Sequence, residues 1–183
     1  SWYCAFRHYP MIQRIIITGG PATGKSSIIT HLQQLGYNCF EEVSREIIQE
    51  QKVNTAYKNF DFETAVFNRR KEQFERATGL HFYDRSMIDG IAYMRKNKVA
   101  VSREMLQTIK QCPYQKIAFI APPWESIYHK DAERLEDFKE VEGIYQSLQE
   151  AYQSFGYQLI EIPLNTVEER VKFILSQGNL PKI

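Results

Sequence analysis

The feature of the sequence that most constrains its fold is a glycine-rich octapeptide between a short apolar run and a helical pattern. Residues 14–18 are mostly β-branched, which predicts a buried strand. Residues 19–26 then fit the pattern G-x-x-x-x-G-K-[ST], whose glycines allow backbone N–H groups to surround phosphate oxygens. A helix predicted over 24–35 adds the partial positive charge of its N-terminus. We therefore predict a phosphate-binding loop of the Walker A type, which together with the following residue comprises Gly19, Gly20, Pro21, Ala22, Thr23, Gly24, Lys25, Ser26 and Ser27.

Two side chains of this loop have distinct predicted roles in binding a nucleoside triphosphate. The Lys25 ammonium should reach the β- and γ-phosphates, where it can also take part in catalysis. The Ser26 hydroxyl should ligate Mg²⁺. The predicted ligands are therefore ATP and Mg²⁺.

Strand patterns and helix patterns alternate along the chain from Met11 onward. Strands that are separated by helices are joined by right-handed crossovers, which predicts a parallel sheet covered by helices on both faces. We therefore expect an α/β protein with a single domain over residues 11–183, preceded by an extension over residues 1–10. The predicted strands are 14–18, 37–40, 80–83, 116–121 and 157–162. The predicted helices are 24–35, 42–52, 61–78, 86–95, 102–111, one that includes 138–152, and 167–175. The helix over 42–52 is expected to place Val43, Ile47 and Ile48 on one side.

The residues that follow the third predicted strand are candidates for the chemistry, because ligands of parallel α/β sheets bind at the carboxyl ends of the strands. Asp84 is an acid in the position where proteins with this phosphate loop bind Mg²⁺. Its alternative role is to cap the N-terminus of the next helix, near Ser86. Arg85 is predicted to contact a phosphate or substrate anion, with a surface salt bridge as the alternative.

The second predicted strand leads into two acids and an arginine. Glu42 can act as the general base that accepts a proton from an attacking hydroxyl, with Glu41 as the fallback. The alternative is that these acids only complement the dipole of the next helix. Arg45, one turn later, is a candidate contact for an anion of the substrate. The basic run 69–71 is predicted to be a solvated helix face, although Arg69 could face the substrate cleft.

A charged segment after the fourth predicted strand, over residues 124–137, is a candidate lid. An arginine in such a segment can fold over the triphosphate and stabilise charge that develops in the transition state. Arg134 is the predicted phosphate contact, and the alternative is a solvated helix face.

Composition excludes several classes of protein. The 183 residues carry a formal charge of only +1, so the basic excess typical of nucleic-acid binding is absent. No apolar run approaches the roughly 20 residues that a membrane span needs. The three cysteines are far apart in the sequence, which does not suggest a disulfide framework and favours a cytoplasmic location.

These motifs together resemble the AAA-type P-loop ATPase and kinase group that includes the nicotinamide riboside kinase domain, within the wider nucleoside and nucleotide kinase fold. The resemblance covers about residues 11–175. It implies a three-layer P-loop NTPase fold with a five-stranded parallel sheet of order 2-3-1-4-5 and a lid after the fourth strand. The sequence elements that carry it are the phosphate loop, 42–45, 83–86, 121–125 and 131–134.

Residues 84–86 are also similar to the acid-Arg-Ser element of deoxynucleoside kinases. That similarity implies that Asp84 and Arg85 line the site of phosphoryl transfer and that Glu42 occupies the place of the general base. The predicted function is an Mg-ATP-dependent kinase that acts on a hydroxyl of a nucleoside-like small molecule. The alternative is an ATP-hydrolysing switch or regulatory ATP-binding module without such an acceptor.

Overall fold

The computed structural model describes residues 11–53, 61–125, 132–177 and 180, and for residues 53 and 132–137 it describes the backbone alone. Within these residues the chain forms a three-layer α/β fold around a five-stranded parallel sheet of order β2-β3-β1-β4-β5, which confirms the predicted fold class. The strands are β1 (Gln13–Gly19), β2 (Asn38–Phe40), β3 (Leu80–Asp84), β4 (Ile117–Ala121) and β5 (Gln158–Glu161). The helices are α1 (Lys25–Gln34), α2 (Val43–Val53), α3 (Phe62–Arg76), α4 (Met87–Lys96), α5 (Arg103–Gln111), α6 (Ala132–Ser154) and α7 (Val167–Ser176).

The register of the sheet brings the carboxyl ends of four strands together. Ile17 of β1 is paired with Asp84 of β3, and Gly19 is paired with Ala121 of β4. On the other side of β3, β2 ends at Phe40, beside Tyr83. The segments that follow β1, β2 and β3 therefore begin at one edge of the sheet, as parallel strands require.

The sheet is apolar on both faces because alternate residues of each strand point to opposite sides. Ile16 packs into a core with α4 and α6, whereas Ile15 and Ile17 pack into a second core with α1 and α7. A smaller cluster joins α2 to α3. Among the helices of the described residues, none combines the length and apolar character needed to cross a bilayer.

The apolar face of α2 is narrower than predicted. Val43 and Ile47 are buried against Val66 of α3, but Ile48 is 42% exposed. The expectation that Ile48 shares their face is therefore wrong. Residues four apart lie on one face of a helix, whereas the next residue is rotated by about 100°.

A buried polar network connects β1, α4 and α6 next to the end of β1. The Asp89 carboxylate accepts hydrogen bonds from the hydroxyls of Thr18 and Tyr152 and, at 3.1 Å, from the backbone N–H of Ser86. Ser86 is also the N-cap of α4, since its hydroxyl accepts from the backbone N–H of Ile88 at 3.2 Å. The alternative that Asp84 caps this helix is therefore wrong, and its carboxylate is available for another role.

Candidate functional site

The phosphate-binding loop is a tight backbone turn whose two flanking glycines are required by its geometry. Gly19 has φ 152°, and a Cβ there would lie 2.8 Å from the carbonyl oxygen of Ala121. Gly24 has φ 78°, in the left-handed region that favours glycine. Between them, Ala22 adopts φ 55°, a conformation that costs a non-glycine residue free energy. The Thr23 hydroxyl donates to the carbonyl of Gly20 at 2.9 Å and closes the turn.

Helix α1 begins directly after this turn without a side-chain cap. Its N-cap residue is Gly24, so no side-chain oxygen of that residue accepts from the first N–H groups of the helix. Ser26 and Ser27 lie exposed in the first turn. An uncapped helix N-terminus beside a glycine turn is suited to bind an anion such as a phosphate.

Lys25 and Asp84 form a buried ion pair between α1 and the end of β3. The Lys25 ammonium donates to Oδ1 of Asp84, and each side chain is only 7% exposed. Burial lowers the pKa of Lys25 and outweighs the attraction of Asp84. Burial likewise raises the pKa of Asp84 and outweighs the attraction of Lys25. Neither charge is therefore fully compensated by the other. A phosphate could further stabilise the Lys25 ammonium, and a cation could further stabilise the Asp84 carboxylate.

A second cluster of charges surrounds the Glu42 carboxylate at the start of α2. Its Oε1 accepts from Arg70 at 3.0 Å and from the Ser44 hydroxyl and N–H at 2.6 Å and 3.0 Å. Its Oε2 lies 3.2 Å from Nε of Arg85. Glu42 therefore sits between two arginines from different elements.

These partners control the ionisation of Glu42. Burial alone would raise the pKa of this carboxyl, but Arg70, Arg85 and Ser44 outweigh that effect and lower the pKa to about 2. Glu42 is therefore ionised at neutral pH. In this arrangement it is also a weak base.

Arg85 connects the Glu42 cluster to the phosphate-binding loop. The residue has φ 70°, which is unusual outside glycine. Besides its contact with Glu42, its Nη2 donates to the carbonyl of Gly19 at 3.1 Å. The Arg85 side chain is only 16% exposed, so its ion pair with Glu42 is not the surface salt bridge that was the alternative role for this residue.

Arg45, Arg69 and Glu41 were also predicted to serve the site, and each has different surroundings. Arg45 is exposed at the rim of a cavity of about 260 Å³ that Ser26, Glu42 and Asp84 also line. Arg69 is paired instead with Glu50, at 3.0 Å, and with Glu46, at 3.4 Å. Both acids lie on α2, so the neighbouring helix takes up the Arg69 charge. Glu41 is exposed and accepts from Gln33 at 3.3 Å.

The predicted lid falls largely outside the described residues. Residues 126–131 are not described, and the side chain of Arg134 is not described within α6. The role of Arg134 as a phosphate contact stays a prediction.

The oxygen atoms along the cavity suit Mg²⁺. Mg²⁺ is commonly bound by one or two carboxylates together with substrate phosphates and water. Asp84 supplies a carboxylate and Ser26 a hydroxyl to the same cavity. These donors fit the predicted metal role of both residues.

Comparison with models of protein families matches residues 14–170 to the family described as AAA domain. The chain belongs to the AAA domain family. Comparison with curated proteins gives no significant match in sequence.

Solved structures of nucleoside and nucleotide kinases share the fold of this AAA domain. Deoxyadenosine kinase from M. mycoides with bound dATP has a TM-score of 0.55 at 16% identity, over 90% of this chain and 98% of that chain. Thymidylate kinase from Candida albicans has a TM-score of 0.58 at 14% identity, over 88% of each chain. NadR protein in complex with NAD and AMP-PNP has a TM-score of 0.68 at 14% identity, over 96% of this chain and 51% of that chain. At these identities the likeness establishes the fold alone, a P-loop fold of the nucleoside and nucleotide kinase type.

Sequence reasoning missed two buried arginines of this AAA domain. Arg70 was expected on a solvated face but is 4% exposed, and Arg170 of α7 is 1% exposed. Both lie at helical spacing from apolar residues: Arg70 is four residues from Val66 and Phe74, and Arg170 is four residues before Ile174. A charged residue within an apolar stripe was the signal that could have found them.

The Lys25–Asp84 pair generates a prediction about stability. Lys25→Met should lower the free energy of unfolding by about 3 kcal/mol, because it leaves the Asp84 carboxylate buried without its partner. The double variant Lys25→Met/Asp84→Asn should regain part of that loss. Urea denaturation at pH 7 measures both. A double variant that is no more stable than Lys25→Met would contradict this interpretation of the pair.

The low pKa of Glu42 generates a prediction about pH. Its folded-state pKa of about 2 lies below the ordinary value of 4.5, so its contribution to stability is present above about pH 4.5 and is lost as pH falls toward 2. The difference between these two pKa values corresponds to a contribution of roughly 3 kcal/mol to the free energy of unfolding at neutral pH. The stability gap, defined as the difference in free energy of unfolding between wild type and Glu42→Gln, should therefore decrease as pH falls below about 5.

Urea denaturation between pH 7 and pH 3.5 measures that gap. Glu50→Gln is the matched control, because the Glu50 carboxylate also pairs with an arginine but lies at the surface. Its gap to wild type should change far less with pH. A Glu42→Gln gap that is constant over this range would show that the two arginines do not lower the pKa of Glu42.

Proposed function

We propose that this AAA domain is an Mg-ATP-dependent kinase that transfers the γ-phosphoryl group of ATP to a hydroxyl of a nucleoside-like small molecule. The observation that carries the proposal is the double contact of Arg85. Its guanidinium lies 3.2 Å from Glu42 and donates to the phosphate-binding loop at Gly19. One side chain thus links the predicted base to the predicted phosphate site.

On the nucleotide side, the loop amides and the N-terminus of α1 would bind the phosphates of ATP. Lys25 would exchange its contact with Asp84 for the β- and γ-phosphates, and Ser26 and Asp84 would hold Mg²⁺. Mg²⁺ held there would supply positive charge that offsets part of the phosphate charge. Arg85, which donates to the carbonyl of Gly19, would stabilise charge on the transferred group.

On the acceptor side, Glu42 would orient the acceptor hydroxyl and accept its proton as the oxygen attacks the γ-phosphorus and ADP leaves. A carboxylate with a pKa of about 2 is a weak base. Phosphoryl transfer nevertheless depends mainly on positioning and electrostatics. When the γ-phosphate attracts Arg85, Glu42 would lose part of the interaction that lowers its pKa and become a better proton acceptor.

One observation favours the second candidate, an ATP-hydrolysing switch or regulatory module. Oε1 of Glu42 already accepts from Arg70 and Ser44, so this acid could serve only to position the two arginines. In that case no small molecule is phosphorylated, and removal of the Glu42 carboxylate would leave ATP hydrolysis nearly unchanged.

Glu42→Gln distinguishes the two candidates. Wild type incubated with Mg-ATP and a panel of nucleosides should form a labelled monophosphate. The variant should bind ATP with an affinity within about threefold of that of wild type, measured by calorimetry. It should lose about 10²- to 10⁴-fold in the rate of transfer, since the hydroxyl lacks its base.

Glu41→Gln is the matched control, because this acid is adjacent but exposed. It should leave the rate of transfer unchanged, and a loss in Glu41→Gln alone would move the base to Glu41. If wild type hydrolyses ATP without phosphorylating any acceptor, and Glu42→Gln hydrolyses it equally well, the kinase proposal is wrong and the switch is favoured.

A further inference from the structure

Arg170 of α7 joins the phosphate-binding loop to the segments that follow β4 and β5. Its Nε donates to the carbonyl of Pro163 at 3.0 Å, and its Nη1 donates to the carbonyl of Thr23 at 2.8 Å. Its guanidinium carbon lies 5.2 Å from the centre of the Trp124 ring. The side chain thus reaches three separate parts of the chain at the carboxyl edge of the sheet.

Within the part of the chain that the structure describes, no carboxylate pairs with Arg170. Among the ion pairs of the described residues, none includes Arg170, although the residue is only 1% exposed. Its Nη2 has no hydrogen-bond partner there. A buried cation that is balanced only by carbonyl dipoles is costly. An anion bound to the other side of the loop would offset that cost.

The hydrogen bond to Thr23 has a direct consequence for the loop amides. The carbonyl of Thr23 and the N–H of Gly24 belong to one planar, trans peptide unit and point in opposite directions. When Arg170 holds the carbonyl toward α7, the Gly24 N–H must point away from α7. A Cβ on Gly24 would lie 2.7 Å from Nη1 of Arg170, so a larger residue there would displace the guanidinium.

We propose that Arg170 is a positioning residue for triphosphate binding. It fixes the peptide between Thr23 and Gly24 so that the amide faces the phosphates, and it places a positive charge behind the loop. This inference rests on the proposed binding of ATP by the loop. It assigns Arg170 to the phosphates and not to the nucleobase.

Arg170→Met tests the inference when ATP and inorganic tripolyphosphate, each with Mg²⁺, are titrated calorimetrically. We expect the variant to weaken binding of both by about tenfold or more, since an oriented, charge-supported contact is lost. Loss of a contact with the nucleobase would weaken the binding of ATP alone, because tripolyphosphate has no base. Weaker binding of both ligands therefore indicates an effect on the phosphates.

Arg14→Met is the matched control. Arg14 donates through Nε to the carbonyl of Phe74 at 2.8 Å and lies 3.8 Å from the Phe74 ring centre. These contacts resemble those of Arg170, but Arg14 lies near the start of β1, at the opposite edge of the sheet from the loop. Arg14→Met should lower the melting temperature while leaving both affinities unchanged.

Three results would overturn the inference. They are unchanged affinities in Arg170→Met, a loss of affinity for ATP without a loss for tripolyphosphate, and an equal loss in Arg14→Met.

If Arg170→Met does not fold, Arg170→Lys serves in its place, because lysine keeps the charge but lacks the planar fork that donates to both carbonyls. Its affinities should fall by at least about threefold, and unchanged affinities would overturn the inference. Wild type that binds neither probe would instead overturn the proposed function, and the inference with it.

Discussion

The buried ion pair between Lys25 and Asp84 is the interaction on which the rest of the site depends. It joins the first turn of α1 to the end of β3, where Asp84 is paired in the sheet with Ile17. Burial opposes the ionised form of both side chains, which lowers the pKa of Lys25 and raises the pKa of Asp84. Additional counter-charges would therefore stabilise both ionised groups. In the proposed function, triphosphate oxygens would take the Lys25 ammonium and Mg²⁺ would take the Asp84 carboxylate.

Two arginines support this edge of the sheet from opposite faces. Arg70 comes from α3, whose apolar residues pack into the core with α4 and α6, and it contacts Glu42. Arg170 comes from α7, which packs into the core with α1, and it contacts the loop carbonyl of Thr23. Each is buried because its helix must also bury the apolar residues around it. The charges of the site are therefore positioned by the same packing that forms the two cores.

The fold was predictable from the sequence because its signals are local. β-Branched runs, glycine turns and the 3.6-residue period each act within a few residues, and the alternation of strands and helices leaves few topologies. The positions of Asp84 and Glu42 were predictable for the same reason, since Asp84 ends β3 and Glu42 lies two residues after the end of β2. Their partners were not. Whether Arg69 or Arg70 reaches Glu42 depends on the rotation of α3 against α2, and the contact of Arg170 spans 147 residues. Pairings of this kind are set by tertiary packing.

A crystal structure of the protein with Mg²⁺ and a non-hydrolysable ATP analogue tests the phosphate site directly. We expect the triphosphate to lie in the loop of residues 19–26 and the Lys25 ammonium to contact phosphate oxygens in place of Asp84. The Asp84 carboxylate should face the metal. An analogue bound at another position, or a loop without phosphate at saturating nucleotide with Lys25 still paired to Asp84, would contradict this expectation.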